Sequence, residues 1–159
     1  MDYSLASLQD VPALTNLLSA LFAQETEFTP DPQAQTRALA HIIAEPNLGE
    51  IMVARCENKA VAMVSLLYTY STALGGKVCW LEDMVVAYEY RGQTIGTQLL
   101  NYAIKHARQS GCQRITLLTD QHNTQAQHFY ARQGFVYSSM QPMRLLLTND
   151  KITTAPTSV

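Results

Sequence analysis

The chain has no stretch approaching the roughly 18 consecutive apolar residues that a membrane-spanning helix requires. Charge is also scarce. Asp, Glu, Lys and Arg make up 15% of its 159 residues, and the net charge is −2. Lysines and arginines are scattered and form no basic run, so no global field draws the chain to nucleic acid. Only three cysteines occur, Cys56, Cys79 and Cys112, and none belongs to a C-x-x-C pair. They read as reduced thiols, which suits a cytoplasmic location. The four histidines sit at no spacing that signals a metal site, so no metal is expected. The opening "MDYSLASLQD" lacks the basic segment and apolar core of a signal peptide, and none is expected. No internal repeat or low-complexity linker is present.

What remains is ordinary for a globular protein. Apolar residues are 47% of the chain, enough for one domain with a real core. We expect that domain to span residues 1–148, with a polar, frayed tail over 149–159. "YSLASL" alternates as a first strand. Asp10 is a candidate N-cap for a helix over Val11 to Gln24, where Leu14, Leu17, Leu18, Leu21 and Phe22 recur at helical spacing. Asp31 followed by Pro32 starts a second helix that runs to about Ala44. "EIMVARCENKAVAMVSLLYTY" reads as two strands turning at Glu57 and Asn58, and "CWLEDMVVA" as a third. A helix over Thr97 to Arg108, a strand in "CQRITLLTD" and a helix in "NTQAQHFYARQ" follow. "FVYSSM" and "MRLLLT" can close a hairpin. This order is mixed α/β, because three consecutive strands precede the central helix. The strand before Arg91, its helix and "RITLLT" form a β-α-β unit, so those two strands should be parallel.

"EDMVVAYEYRGQTIGTQLL" changes from strand to turn to helix. Unpaired N–H groups at a helix N-terminus point one way, and the helix dipole adds about half a positive charge. Gly92 and Gly96 clear side chains from where backbone must approach an anion. Taken alone, the turn could equally serve only to turn the chain. It is neither a Walker loop nor a G-x-G-x-x-G fingerprint.

A second segment, "NTQAQHFYARQGF", adds an Asn, a Phe-Tyr pair and a Gly-Phe. Together the two resemble the GNAT superfamily of N-acetyltransferases, and "LEDMVVAYEYRGQTIGTQLL" is similar to its polyamine and thialysine branch. The resemblance implies a central mixed sheet of about six to seven strands flanked by about four helices. It implies acetyl-CoA as cosubstrate. Met84, Val85 and Val86 would offer strand backbone to the pantetheine arm. Arg91, Gly92, Gln93, Thr94, Ile95, Gly96 and Thr97 would hold the pyrophosphate. Asn123 would contact the arm or simply cap its helix. Tyr130 would protonate the departing thiolate. Thr94 stands where the family usually has Gly; a β-branched residue dislikes positive φ, so either the loop is αR-like there or cosubstrate binding is weaker than the family norm.

An alkylammonium titrates near pH 10, so attack on a thioester needs a base. Glu82 matches the family position credited with water-mediated deprotonation. Asp83 is a substrate contact or a salt-bridge partner. Adjacent strand residues point to opposite faces, so the two acids share a pocket only if the strand bulges. The expected activity is acetyl transfer to a primary amine by direct attack, with a small cationic amine or amino acid as acceptor. Rival readings are acetylation of a protein N-terminus or lysine, and a sensor that binds acyl-CoA without turnover. Acceptor walls are expected near Phe22 to Phe28, with Glu25 and Glu27, and from "YTYSTALGG". A homodimer is a further expectation, since a C-terminal strand often supports one in this superfamily.

Overall fold

The computed structural model describes residues 1–24 and 28–147. Its strands are β1 (Asp2–Leu5), β2 (Gly49–Cys56), β3 (Lys59–Ser71), β4 (Gly76–Val86) and β5 (Ile115–Leu117). Its helices are α1 (Val11–Phe22), α2 (Pro32–Ala44), α3 (Ile95–Gln109) and α4 (Thr124–Arg132). The sheet runs in the order β1-β2-β3-β4-β5, antiparallel except for the parallel β4–β5 pair expected of the β-α-β unit. Helices cover both faces. Leu99, Leu100 and Ala103 of α3 pack with Val64, Leu66 and Leu81 on one side. Leu14, Leu18 and Leu39 of α1 and α2 pack with Val53, Met63 and Val85 on the other. A strand buried on both faces needs apolar residues at every position, which is why β3 reads as "AVAMVSLL" without alternation. No described helix is long and apolar enough to cross a membrane.

Several local signals act as their chemistry requires. Asp31 caps α2, its Oδ1 accepting from the amides of Gln33 and Ala34 at 3.1 Å each. Glu57 and Asn58 both take positive φ, 49° and 63°, in the turn between β2 and β3. That geometry matches the right-handed twist of the two strands it joins.

Two expectations need correction. The described residues contain five strands, not six or seven. β5 is only three residues long, and residues 135–147 form no strand. Val136, Tyr137, Met143 and Leu147 are at least four-fifths exposed, so this segment buries no continuous face, and apolar composition without a ladder partner does not make a strand. The segment is tied to α4 where Tyr137 Oη donates to Gln127 Oε1 at 2.9 Å. Thr148 and the 149–159 tail lie outside the described residues.

The second correction concerns Asp10, which makes no side-chain cap to α1. Its carboxylate instead accepts from Arg55 Nη1 at 2.5 Å and Nη2 at 2.8 Å, and from the Ser7 amide at 2.7 Å. A planar fork meeting a carboxylate is a stronger use of the acid than a cap. It pins the start of α1 to β2. The Arg55 hydrogen bonds hold the Asp10 carboxyl down at about 2. A depressed carboxyl contributes stability above its unfolded value of 3.8 and loses it as pH falls through about 2. Asp10→Asn should therefore cost about 1.5–3 kcal/mol at pH 7 by urea unfolding. The gap to wild type should close between about pH 4 and pH 2. A gap independent of pH would assign the loss to packing.

Candidate active site

Parallel pairing between β4 and β5 runs from Cys79↔Ile115 to Leu81↔Leu117 and then stops. Beyond it, Met84, Val85 and Val86 keep β3 on one edge and, among the described residues, have no strand on the other. A cleft of about 500 Å³ opens there. Its floor is Met84, Val85 and Val86. One wall is Tyr90, Arg91, Gly92 and Thr94 with the first residues of α3, Ile95, Gly96 and Thr97. The other wall is α4, through Asn123, Gln125, Ala126, Phe129, Tyr130 and Arg132. Leu21 and Gln24 reach in from the end of α1.

The turn is shaped by its backbone. Gly92 has φ 73°, and nothing lies within 4 Å of where a Cβ would stand, so glycine serves conformation there, not space. Thr94 sits immediately before α3 with φ 64° and ψ −2°. A β-branched residue in this left-handed region stores about 1–3 kcal/mol of strain. Arg91 Nε donates to the Val86 carbonyl at 3.0 Å, fastening the turn to the end of β4. Gln93 is turned away, its side-chain amide donating to the Glu89 carbonyl at 3.0 Å. It is the one expected loop residue that does not line the cleft. Gly96 has ordinary dihedrals, but a Cβ there would stand 3.4 Å from Val86, 3.7 Å from Met84 and 3.8 Å from Phe129. A larger side chain at Gly96 would thus enter the cleft between floor and far wall.

On α4, Asn123 does cap its helix, Oδ1 accepting from the Ala126 amide at 3.0 Å, and it also lines the cleft. The two roles anticipated for it are compatible. Tyr130 stacks edge-on against Phe129 at 5.2 Å and Phe135 at 5.6 Å. Burial pushes its hydroxyl up to about 12, and the nearby negative charge of Asp83 adds to the rise. Tyr130 is therefore a neutral proton donor throughout the physiological range.

The acids do not take opposite faces. In the β3–β4 ladder Val64 opposes Met84 and Leu66 opposes Leu81, so the single residue Ser65 faces both Glu82 and Asp83. Cys79 and Leu81 before this bulge, and Met84 and Val86 after it, all pack on the α3 side, while Val85 packs on the α1–α2 side. Alternation forward from Leu81 and backward from Met84 puts both acids on the α1–α2 side. Glu82 is exposed and Asp83 half-buried. Neither lines the cleft itself. They stand on β4 between the last β4–β5 pair and the cleft floor.

Arg132, Gln125, Ala126 and Phe129 were absent from the expected site, although their spacing on α4 was a usable signal. Positions 125/126, 129 and 132 repeat every three to four residues, so the helix face that carries Phe129 brings the others with it. Residues 68–76, expected as an acceptor wall, line no part of the cleft. Glu25 and Glu27 lie outside the described residues.

Comparison with known proteins agrees with this geometry. Residues 12–135 match the profile of the acetyltransferase (GNAT) family. The chain belongs to the GNAT acetyltransferase family. It is accordingly an N-acetyltransferase, of a family that uses acetyl-CoA. It is 29% identical over 133 residues to the aminoalkylphosphonate N-acetyltransferase of Salmonella typhimurium, covering 84% of this chain and 83% of that protein. The fold is similar to a predicted acetyltransferase from Clostridium acetobutylicum solved with acetyl-CoA, with TM-score 0.76 at 19% identity over 92% of this chain and 96% of that one. It is similar also to a ribosomal-protein-alanine N-acetyltransferase from Brucella melitensis, with TM-score 0.71 at 17% identity over 92% and 99%. The five-stranded mixed sheet and four helices are those of a GNAT domain.

The strain at Thr94 gives a prediction. Thr94→Gly removes about 1–3 kcal/mol of backbone strain and adds about 0.4–1 kcal/mol of unfolded-state entropy. A net stabilisation of about 0.5–2 kcal/mol is expected, read as a higher urea midpoint with unchanged slope. A lower midpoint would mean that Thr94 makes a compensating interaction.

Proposed function

We propose that this GNAT enzyme transfers the acetyl group of acetyl-CoA to a primary amine by direct attack, without an acyl-enzyme. The observation that carries the reading is the parting of β4 from β5 beside the N-terminus of α3. A strand edge with no described strand beside it, a cluster of helix N–H groups and a half-buried Tyr converge on one cleft. The residues present fit the cosubstrate. The edge of Met84, Val85 and Val86 suits an extended amide-bearing arm laid down as an added strand. Because Arg91 already occupies the Val86 carbonyl, the arm's hydrogen bonds fall to the remaining groups of that edge. The Arg91–Thr97 turn, with Arg91 and Arg132 in the walls, suits a pyrophosphate. In this reading Gln93 contributes backbone only, since its side chain points back to Glu89.

Acetyl-CoA supplies the acyl group as a thioester. The protein must then take a proton from the amine and hold one for the leaving sulfur. Glu82 is assigned the first task, through water, because it is exposed and next to the cleft floor. Asp83 is assigned to the acceptor's positive charge. Tyr130 is assigned the second task. Its hydroxyl titrates near 12, above the roughly 8.5 of a free thiol. It therefore steadies the thiolate by donating a hydrogen bond, and full proton release is uphill.

Two acids on the same side of the sheet favour a small cationic amine, and the similarity to an aminoalkylphosphonate acetyltransferase over most of both chains supports a small acceptor. Acetylation of a protein N-terminus is the second reading, favoured by the fold shared with the ribosomal-protein acetyltransferase. Three cysteines outside any disulfide support a cytoplasmic setting. A homodimer belongs to the same proposal, and sedimentation tests it.

Thiol release from acetyl-CoA should be stimulated by one or more members of a panel of small amines and aminoalkylphosphonates, and less by peptides. Stimulation by peptides alone would move the reading to protein acetylation. Binding without any release would leave a sensor. Gly96→Val should weaken acetyl-CoA binding by tenfold or more by calorimetry, about 1.4 kcal/mol. Tyr130→Phe should lower kcat by roughly 10²-fold, with acetyl-CoA affinity kept. Glu82→Gln should lose most turnover near neutral pH and recover partly at high pH, where more amine arrives neutral. Asp83→Asn should raise the KM for amine without that pH signature. If Asp83→Asn alone showed the altered pH profile, the two acids would have to exchange roles.

A further inference from the structure

Ser65 is the one polar residue in the apolar run of β3, and it is 1% exposed. A hydroxyl buried at that depth is costly unless both its donor and its acceptor capacity are used. Here they are, and by one residue. The Asp83 amide donates to Ser65 Oγ at 3.0 Å, and Ser65 Oγ donates to Asp83 Oδ2 at 3.3 Å. Ser65 is also the residue that opposes both Glu82 and Asp83 across the bulge. Inserting a residue in one strand locally disrupts the ladder. The Ser65 hydroxyl supplies an acceptor for the Asp83 amide there. Among the residue types of the surrounding run (Ala, Val, Met, Leu), none could.

We infer that Ser65 is a positioning residue for acetyl transfer: its hydroxyl holds the bulge that sets Glu82 and Asp83 together on one side of the sheet. This rests on the roles proposed above for the two acids. The consequence of losing the bulge follows from the two-residue period of a strand. A one-residue slip in β4 would turn one of the two acids to the α3 side and take either Leu81 or Met84 off that face with it. The acids cannot face the acceptor while Met84 and Val86 face α3 unless one residue is extra. Ser65 makes that extra residue tolerable inside a core.

The test is Ser65→Ala, alone and combined with Glu82→Gln. Expected for the single variant is a fall in kcat of tenfold or more, acetyl-CoA affinity within threefold of wild type, and faster hydrogen exchange at the Asp83 amide. In the Glu82→Gln background the same change should cost less than about twofold, because residues acting as one unit are not additive. Turnover within twofold of wild type, or a full multiplicative loss on top of Glu82→Gln, overturns the inference. Should Ser65→Ala not fold, Ser65→Thr keeps the hydroxyl and should fold with turnover within threefold. A Ser65→Thr protein that has lost turnover, or that also fails to fold, overturns it as well. If the wild-type protein binds acetyl-CoA but acetylates no amine, the functional reading fails separately. The Asp83 amide then decides alone, and unchanged exchange in Ser65→Ala refutes the role of Ser65.

Discussion

Everything at the candidate site depends on where two parallel strands stop pairing. β4 and β5 share three residue pairs and then diverge, while β4 continues against β3 to Val86. A longer β5 partner would place a strand where the cleft now lies. The floor, the turn that ends it and the α4 wall all take their positions from that point. A bare strand edge is ordinarily a liability for a soluble protein. Here it is recessed between α3 and α4, which keeps it from other chains and leaves it open to an extended ligand.

The same opening separates two electrostatic environments. The α3 end carries helix N–H groups, Arg91 and Arg132, and suits anions. The strand side carries Glu82 and Asp83, and suits a cation. Tyr130, half-buried against Phe129 and Phe135, lines the cleft and feels the charge of Asp83. In the proposed reaction, a donor with phosphates and an acceptor with an ammonium approach from regions of opposite sign. The Tyr130 hydroxyl is kept protonated by burial and by its acidic neighbour Asp83.

Bulge and turn obey different economies. At Thr94 the chain tolerates strain, holding a β-branched residue at positive φ where glycine would be at ease. At Ser65 it spends a polar residue inside a core, and both hydrogen-bonding functions of that residue are matched. The first costs stability in the turn proposed for the cosubstrate. The second maintains the register on which the acids depend. Neither would be needed for a plain five-stranded sheet packed between helices.

Local chemistry made much of this legible. Helical spacing in "LTNLLSALF", the Asp31–Pro32 start of α2, the Glu57–Asn58 turn and the strand-turn-helix around Gly92 each follow from interactions within a few residues, so they could be read without a fold. The parallel pair followed from β-α-β order alone. The cleft residues on "RGQTIG", with Asn123 and Tyr130, followed from motif. What could not be read locally was whatever needs a partner distant in sequence. Asp10 looked like a cap because Arg55, forty-five positions away, could not be seen beside it. The segment after Phe135 looked like a hairpin because its residues favour strands, yet a strand exists only where another edge receives it. Glu82 and Asp83 seemed bound for opposite faces because alternation holds along an unbroken ladder, and only the pairing with Ser65 reveals the extra residue. Sequence by itself determined the helices, the order of the strands that formed and the chemical groups available, since those depend on near neighbours. Tertiary structure alone decided register, and with it which side of the sheet the acids face, because register is a relation between strands that no single strand contains.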